Sequence, residues 1–169
     1  REIQLRSRPE ANPAPYFIST GKFPTEHSNH LGYEVYYKSG PLMLGSEFYL
    51  HKFSSLENNN PLYSGGEIML TYIFTGESRV YNTSTGIFGF VPINKSVFKG
   101  GPGTFEGVLR FTSFDLNGGN IYGGKFWRIT PMVNWYLSKD VRLELGYGYG
   151  VLDRFELKGG THFFQSRLQ

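Results

Sequence analysis

Cysteine is absent from this 169-residue chain, which excludes disulfide staples, zinc–thiolate sites and thiol catalysis. No run of about 18 apolar residues occurs, so no segment can cross a bilayer as a helix. Helical periodicity is missing as well. Charge of one sign is scarce: 17 Lys and Arg against 14 Asp and Glu leave a net +3. That is too small and too scattered for a nucleic-acid binder. A nucleophile elbow is lacking, and Gly100-Gly101-Pro102-Gly103 has no Lys-Ser/Thr ending with which to cradle a phosphate. The pattern thus calls for no catalysis and no cofactor. The chain starts at Arg1 without a leader and stops at Gln169 inside a strand-like run, so it reads as a portion of a longer protein.

Glycine and aromatics are plentiful: 22 Gly, 15 Phe, 12 Tyr and 2 Trp. This composition suits an all-β protein with many turns. The clearest signal is Val141–Val151, where Val141, Leu143, Leu145, Tyr147, Tyr149 and Val151 alternate with Arg142, Glu144, Gly146, Gly148 and Gly150. Successive strand side chains point to opposite faces, so one face is greasy and the other charged or bare. Similar runs are Arg1–Ser7, Pro15–Thr20, Leu31–Lys38, Leu42–His51, Gly65–Thr75, Phe105–Asp115, Phe126–Tyr136 and His162–Gln169, which makes eight or nine strands in one domain, 1–169. Several reach the roughly 9–11 residues that a tilted strand needs to span a bilayer, against a mean of about 5–6 in soluble proteins.

Tyr33, Tyr37, Trp127, Trp135 and Tyr136 gather at run ends, where the aromatic girdles of a membrane barrel would lie. The pattern therefore favours an antiparallel transmembrane β-barrel with lipid outside and water inside. The alternation alone also fits a soluble β-sandwich that binds carbohydrate through its aromatics. The tightest connections, Ser39-Gly40-Pro41 and Leu137-Ser138-Lys139-Asp140, are four strands apart and so fall on one side, expected to be the periplasmic one. Lys52–Ser64 and Leu116–Lys125 then become outer loops, and the long connection Gly76–Thr104 is expected to fold back into the lumen.

Charged side chains lining a lumen set its selectivity. Parity places Lys38, Arg110, Arg128, Arg142 and Arg167 there, with Glu34, Glu47, Glu67, Glu106 and Glu144. This wall is balanced in charge. Arg142 with Glu144, and Glu106 with Arg110, read as pairs bracing the wall. Arg79, with Lys95 and Lys99 in the same long connection, is the candidate contact for a passing anion. His27 and His30 beside Glu26 are accounted for by an exposed polar loop, so no metal site is assigned.

Ordered pieces of the chain resemble the phosphate-selective porins O and P of Gram-negative outer membranes. They are Arg8-Pro9-Glu10, Thr20-Gly21-Lys22-Phe23, Gly40-Pro41 leading to Glu47, Phe74-Thr75-Gly76-Glu77-Ser78-Arg79-Val80-Tyr81, Phe114-Asp115-Leu116-Asn117, Asn134-Trp135-Tyr136-Leu137, Val141-Arg142-Leu143 and Phe164-Gln165-Ser166-Arg167-Leu168-Gln169. The resemblance implies the C-terminal half of a 16-stranded barrel in the outer membrane. It also implies a homotrimer or larger membrane complex that passes phosphate or other small anions. A structural or docking barrel within an envelope assembly is the alternative.

Overall fold

The strands run longer than their alternation marks them. A computed structural model describes residues 1–9 and 14–169; Glu10 of the Arg8-Pro9-Glu10 motif lies outside the described residues. Seven long strands follow one another: β1 (Ser28–Ser39), β2 (Leu42–Phe53), β3 (Leu62–Ile73), β4 (Thr104–Gly118), β5 (Ile121–Ser138), β6 (Val141–Arg154) and β7 (Leu157–Leu168). Each pairs antiparallel with its neighbour in sequence, giving one sheet in the order β1 to β7. Their lengths, from 12 to 18 residues, exceed what a tilted spanning strand needs. Among the described residues β1 and β7 each have one partner strand only, so the sheet is open.

Two expected strands are not part of it. Arg1–Ser7 and Pro15–Thr20 contribute only two-residue ladders: Glu2–Ile3 with Phe23–Pro24, and Arg6–Ser7 with Ile18–Ser19. Their apolar residues are used differently. Ile18 and Phe23 are buried with Phe53, Tyr63, Leu116, Ile121 and Phe126, so residues 1–9 and 14–24 cover one end of the sheet rather than extend its edge.

The expected outer loop Leu116–Lys125 is instead a two-residue turn at Gly119 and Asn120 between long strands. Its polar, glycine-rich composition misleads because side chains carry the pairing through an irregularity. The ladder shifts register between Asp115 and Asn117. There Asp115 accepts from the Asn117 N–H at 2.9 Å, and Asn117 accepts from the Gly124 N–H at 2.8 Å. Gly119 has φ +56°, and a Cβ there would lie 1.9 Å from the Asn58 carbonyl oxygen, so only glycine fits. Phe155 and Glu156 make a further tight turn between β6 and β7. Each end of the sheet therefore carries two tight turns and one longer connection, and turn length does not distinguish the ends.

The two faces differ as the alternation requires. Leu31, Val35, Ile68, Leu70, Leu109, Ile129, Val133, Leu145 and Phe164 stand exposed on one face, Leu31 at 68% and Phe164 at 72%. Aromatics on that face form two groups. Phe105 stacks on Trp135 with centroids 5.2 Å apart, while Trp127 meets Phe111 and Tyr149 at 6.3 and 5.9 Å. Trp127 and Trp135 are eight positions apart on β5, roughly 27 Å along the strand. Tyr136 does not share this face: its neighbour parity turns it inward beside Asn134.

The bare positions of β6 have a packing role. A Cβ on Gly148 would come within 2.2 Å of the Phe163 ring, and one on Gly150 within 2.5 Å of the Trp127 carbonyl oxygen and 3.0 Å of Arg128 Cβ. Glycine here leaves room for Arg128 to lie across the sheet.

Candidate functional site

The inner face bounds a cavity of about 970 Å³ between the sheet and the long connection after β3. Every strand from β1 to β6 contributes to its lining. The cations are Lys38, Arg79, Arg110 and Arg142, and the carboxylates Glu34, Glu47, Glu106 and Glu144. Alternation produces this wall, because inward positions carry charge while outward ones are apolar.

Residues 74–103 do not leave the sheet. The connection folds back across its inner face and is tied to the edge strand β1 and to β4 and β5. On β4 and β5, Arg79 meets Glu106, whose side chain is fully buried. Arg79 Nη2 donates to Glu106 Oε1 at 2.7 Å and Nε donates to the same oxygen at 3.2 Å. Glu106 Oε2 accepts from the Tyr136 hydroxyl at 2.8 Å and from Asn134 Nδ2 at 3.0 Å. The two oxygens of this carboxylate thus receive four donors. On β1, Lys38 Nζ donates to the Arg79 carbonyl at 2.8 Å, and Phe88 packs edge-on against Tyr36 at 5.5 Å. Phe88 belongs to a small hairpin pairing Tyr81–Asn82 with Ile87–Phe88.

Nearer the rim, Ser96 Oγ donates to the Leu137 carbonyl at 3.0 Å and Trp135 Nε1 to the Pro102 carbonyl at 2.8 Å. Burial of Arg79 opposes its charge, but the carboxylate of Glu106 outweighs that and holds the guanidinium pKa above its ordinary value.

The seven candidate cations separate in space. Arg79, Arg110 and Arg142 line the cavity, whereas Lys95 and Lys99 are exposed and do not. Arg142 stands 3.5 Å from Glu144, and its guanidinium also meets Gln169. Arg167 is exposed on the edge strand β7, opposite Glu144 in register.

Arg128 is on the inner face but not in contact with the cavity, being 1% exposed. It donates to the Pro9 carbonyl and its guanidinium lies 4.6 Å from the Phe163 ring centre. The amino-terminal segment covers it through Pro9, which sequence alternation alone could not register.

The expected brace between Glu106 and Arg110 does not form. Four positions along a strand amount to about 13 Å, too far for an ion pair. Glu106 binds Arg79 of the long connection, and Arg110 Nε lies 3.8 Å from Glu67 of the neighbouring strand. Alternation places Asn134 and Tyr136 on the face of Glu106, yet nothing in the sequence marks Glu106 as a hub. Its principal partner is 27 positions away across a loop.

Across β1 to β3, Glu34, Glu47 and Glu67 stand directly opposite one another in register. Like charges so placed are unfavourable unless compensated. The Tyr36 and Tyr49 hydroxyls donate to the two oxygens of Glu47 at 2.8 and 2.9 Å. Away from the cavity, His27 Nε2 is 2.8 Å from Ser54 Oγ, and His30 packs on His51 with ring centres 4.2 Å apart.

A family model described as phosphate-selective porin O and P matches residues 1–161. The chain belongs to this porin family. An uncharacterized protein of Caulobacter vibrioides is 29% identical over 131 residues, which are 78% of this chain. The chain spans 26% of that relative's own length. Within this porin chain, the matched residues include the Arg79 segment tied across the inner face and Asn134-Trp135-Tyr136-Leu137, which supplies part of its anchorage.

Proposed function

We propose that this chain forms part of an outer-membrane β-barrel channel for passive diffusion of small anions or other small solutes in a Gram-negative bacterium. The observation that carries this reading is the inversion of the sheet. Its outward face is a continuous exposed apolar surface with two aromatic groups, and its inward face bounds a charged cavity. In a barrel the first meets lipid and girdles, the second water. The open edges of β1 and β7 fit a larger closed barrel, and the share of the Caulobacter relative that this chain spans leaves length for the remaining strands.

The lining of this portion is balanced, four cations against four carboxylates, so phosphate is one of several small solutes and any anion preference comes from where the cations stand, not from a net positive wall. Among the strand-borne cations of the lining Lys38 is engaged by the Arg79 carbonyl, so Arg110 and Arg142 are those that a solute would meet, and Arg167 would join them once the free edge of β7 is paired. The decisive experiment is conductance of the full-length protein in planar bilayers, comparing phosphate with chloride. A conducting pore with reversal potentials on the anion side is expected. A protein that is soluble without detergent, or that forms no conducting barrel, overturns the reading.

A further inference from the structure

We infer that Glu106 is a positioning residue that clamps an internal constriction, and that Arg79 acts as its strut and not as a solute ligand. This rests on the channel reading above. The segment carrying Arg79 bridges the inner face: its side chain is bound to β4 and β5, while its carbonyl and the nearby Phe88 are held by Lys38 and Tyr36 of β1. A strap anchored at the β1 edge and again at β4 and β5 in the middle of the wall narrows whatever passes beneath it.

The donor inventory settles the role of Arg79. A guanidinium has five N–H groups. Nε gives its one to Glu106, Nη2 gives its two to Glu106 and Tyr136, and Nη1 gives one to the Gly89 carbonyl at 3.4 Å. One N–H is left for a solute. The charge is matched by a carboxylate with no exposure of its own. Glu106 reaches no solvent, and its four donors come from the strap and from two positions on β5. Its contribution to passage is therefore geometric: it fixes how far the hairpin Tyr81–Phe88 projects over the cavity.

Two substitutions of opposite charge separate this from an electrostatic role. Glu106→Gln removes a negative charge and Arg79→Ala a positive one. If both serve the clamp, each releases the strap. Single-channel conductance of the full-length protein then rises in both, and both admit larger neutral oligosaccharides in liposome-swelling assays than the unaltered protein does. If they act through charge, ion selectivity shifts in opposite directions and the neutral-sugar cut-off stays put; that result overturns the inference while leaving the channel intact. An unaltered protein that passes neither ions nor neutral sugars overturns the channel reading itself. Should Arg79→Ala fail to assemble, Tyr136→Phe removes one bond to each partner and is expected to shift the cut-off the same way by less. An unchanged cut-off in Tyr136→Phe and Glu106→Gln counts against the clamp.

Discussion

The inner face of the sheet is covered at both ends by chain that is not part of the sheet, and the two covers are held by different forces. At one end residues 14–24 insert Ile18 and Phe23 into an apolar cluster with Phe53, Tyr63, Leu116, Ile121 and Phe126. At the other, residues 74–103 are tied by a buried carboxylate, hydroxyls and backbone carbonyls. Apolar burial is non-directional and tolerates small shifts, whereas a carboxylate with four donors fixes its partners in one arrangement. The apolar cover excludes water. The polar one holds a shape beside it.

Substitutions at the two ends break this comparison by different mechanisms. The largest effect is expected from Arg79→Ala, which leaves the fully buried Glu106 without its counter-charge. Removing one partner of a buried pair costs about 3–5 kcal/mol, to be read as a lowered unfolding midpoint in detergent. Ile18→Ala at the other end opens a void in a fully buried position and is expected to cost about 2–5 kcal/mol. The discriminating feature is rescue. Adding Glu106→Gln removes the unpaired buried charge, so it is expected to recover part of the Arg79→Ala penalty and none of the Ile18→Ala penalty. Equal responses to Glu106→Gln would mean that the two covers are not held by different forces.

Smaller effects sharpen the picture. Arg142 and Glu144 are partly exposed, and such pairs contribute about 0–1 kcal/mol. Arg142→Gln is therefore expected to leave the unfolding midpoint nearly unchanged while lowering anion preference in reversal-potential measurements. Smallest of all, Lys95→Ala and Lys99→Ala are expected to change neither stability nor conductance, because both side chains are exposed away from the cavity. A marked loss of anion preference in either would return them to the solute path.

Much of the sheet is legible in the sequence. Strict alternation from Val141 to Val151 assigns every side chain of that segment to a face, and the register agrees, with Arg128 opposite Gly150 and Tyr149 opposite Ile129. Strand ends are less legible. Asn117 and Gly118 look like loop because their composition is that of turns, yet side-chain hydrogen bonds carry the ladder through them. Arg1–Ser7 and Pro15–Thr20 alternate well enough to resemble strands, but a period of two cannot tell an edge strand from a segment laid on a face.

The site divides along the same line. Residue parity by itself determined which side chains face inward, because a pleated strand admits no other arrangement. That is why Arg110, Arg142, Glu106 and Glu144 could be named together. Their partners were decided only by the tertiary structure, since ion pairs depend on distances between strands and loops far apart in the chain. The folded connection turned Arg79 toward Glu106, and the amino-terminal cover withdrew Arg128 from the cavity. It also gave Gly148 and Gly150 their purpose: they are small because Arg128 and Phe163 must lie across them.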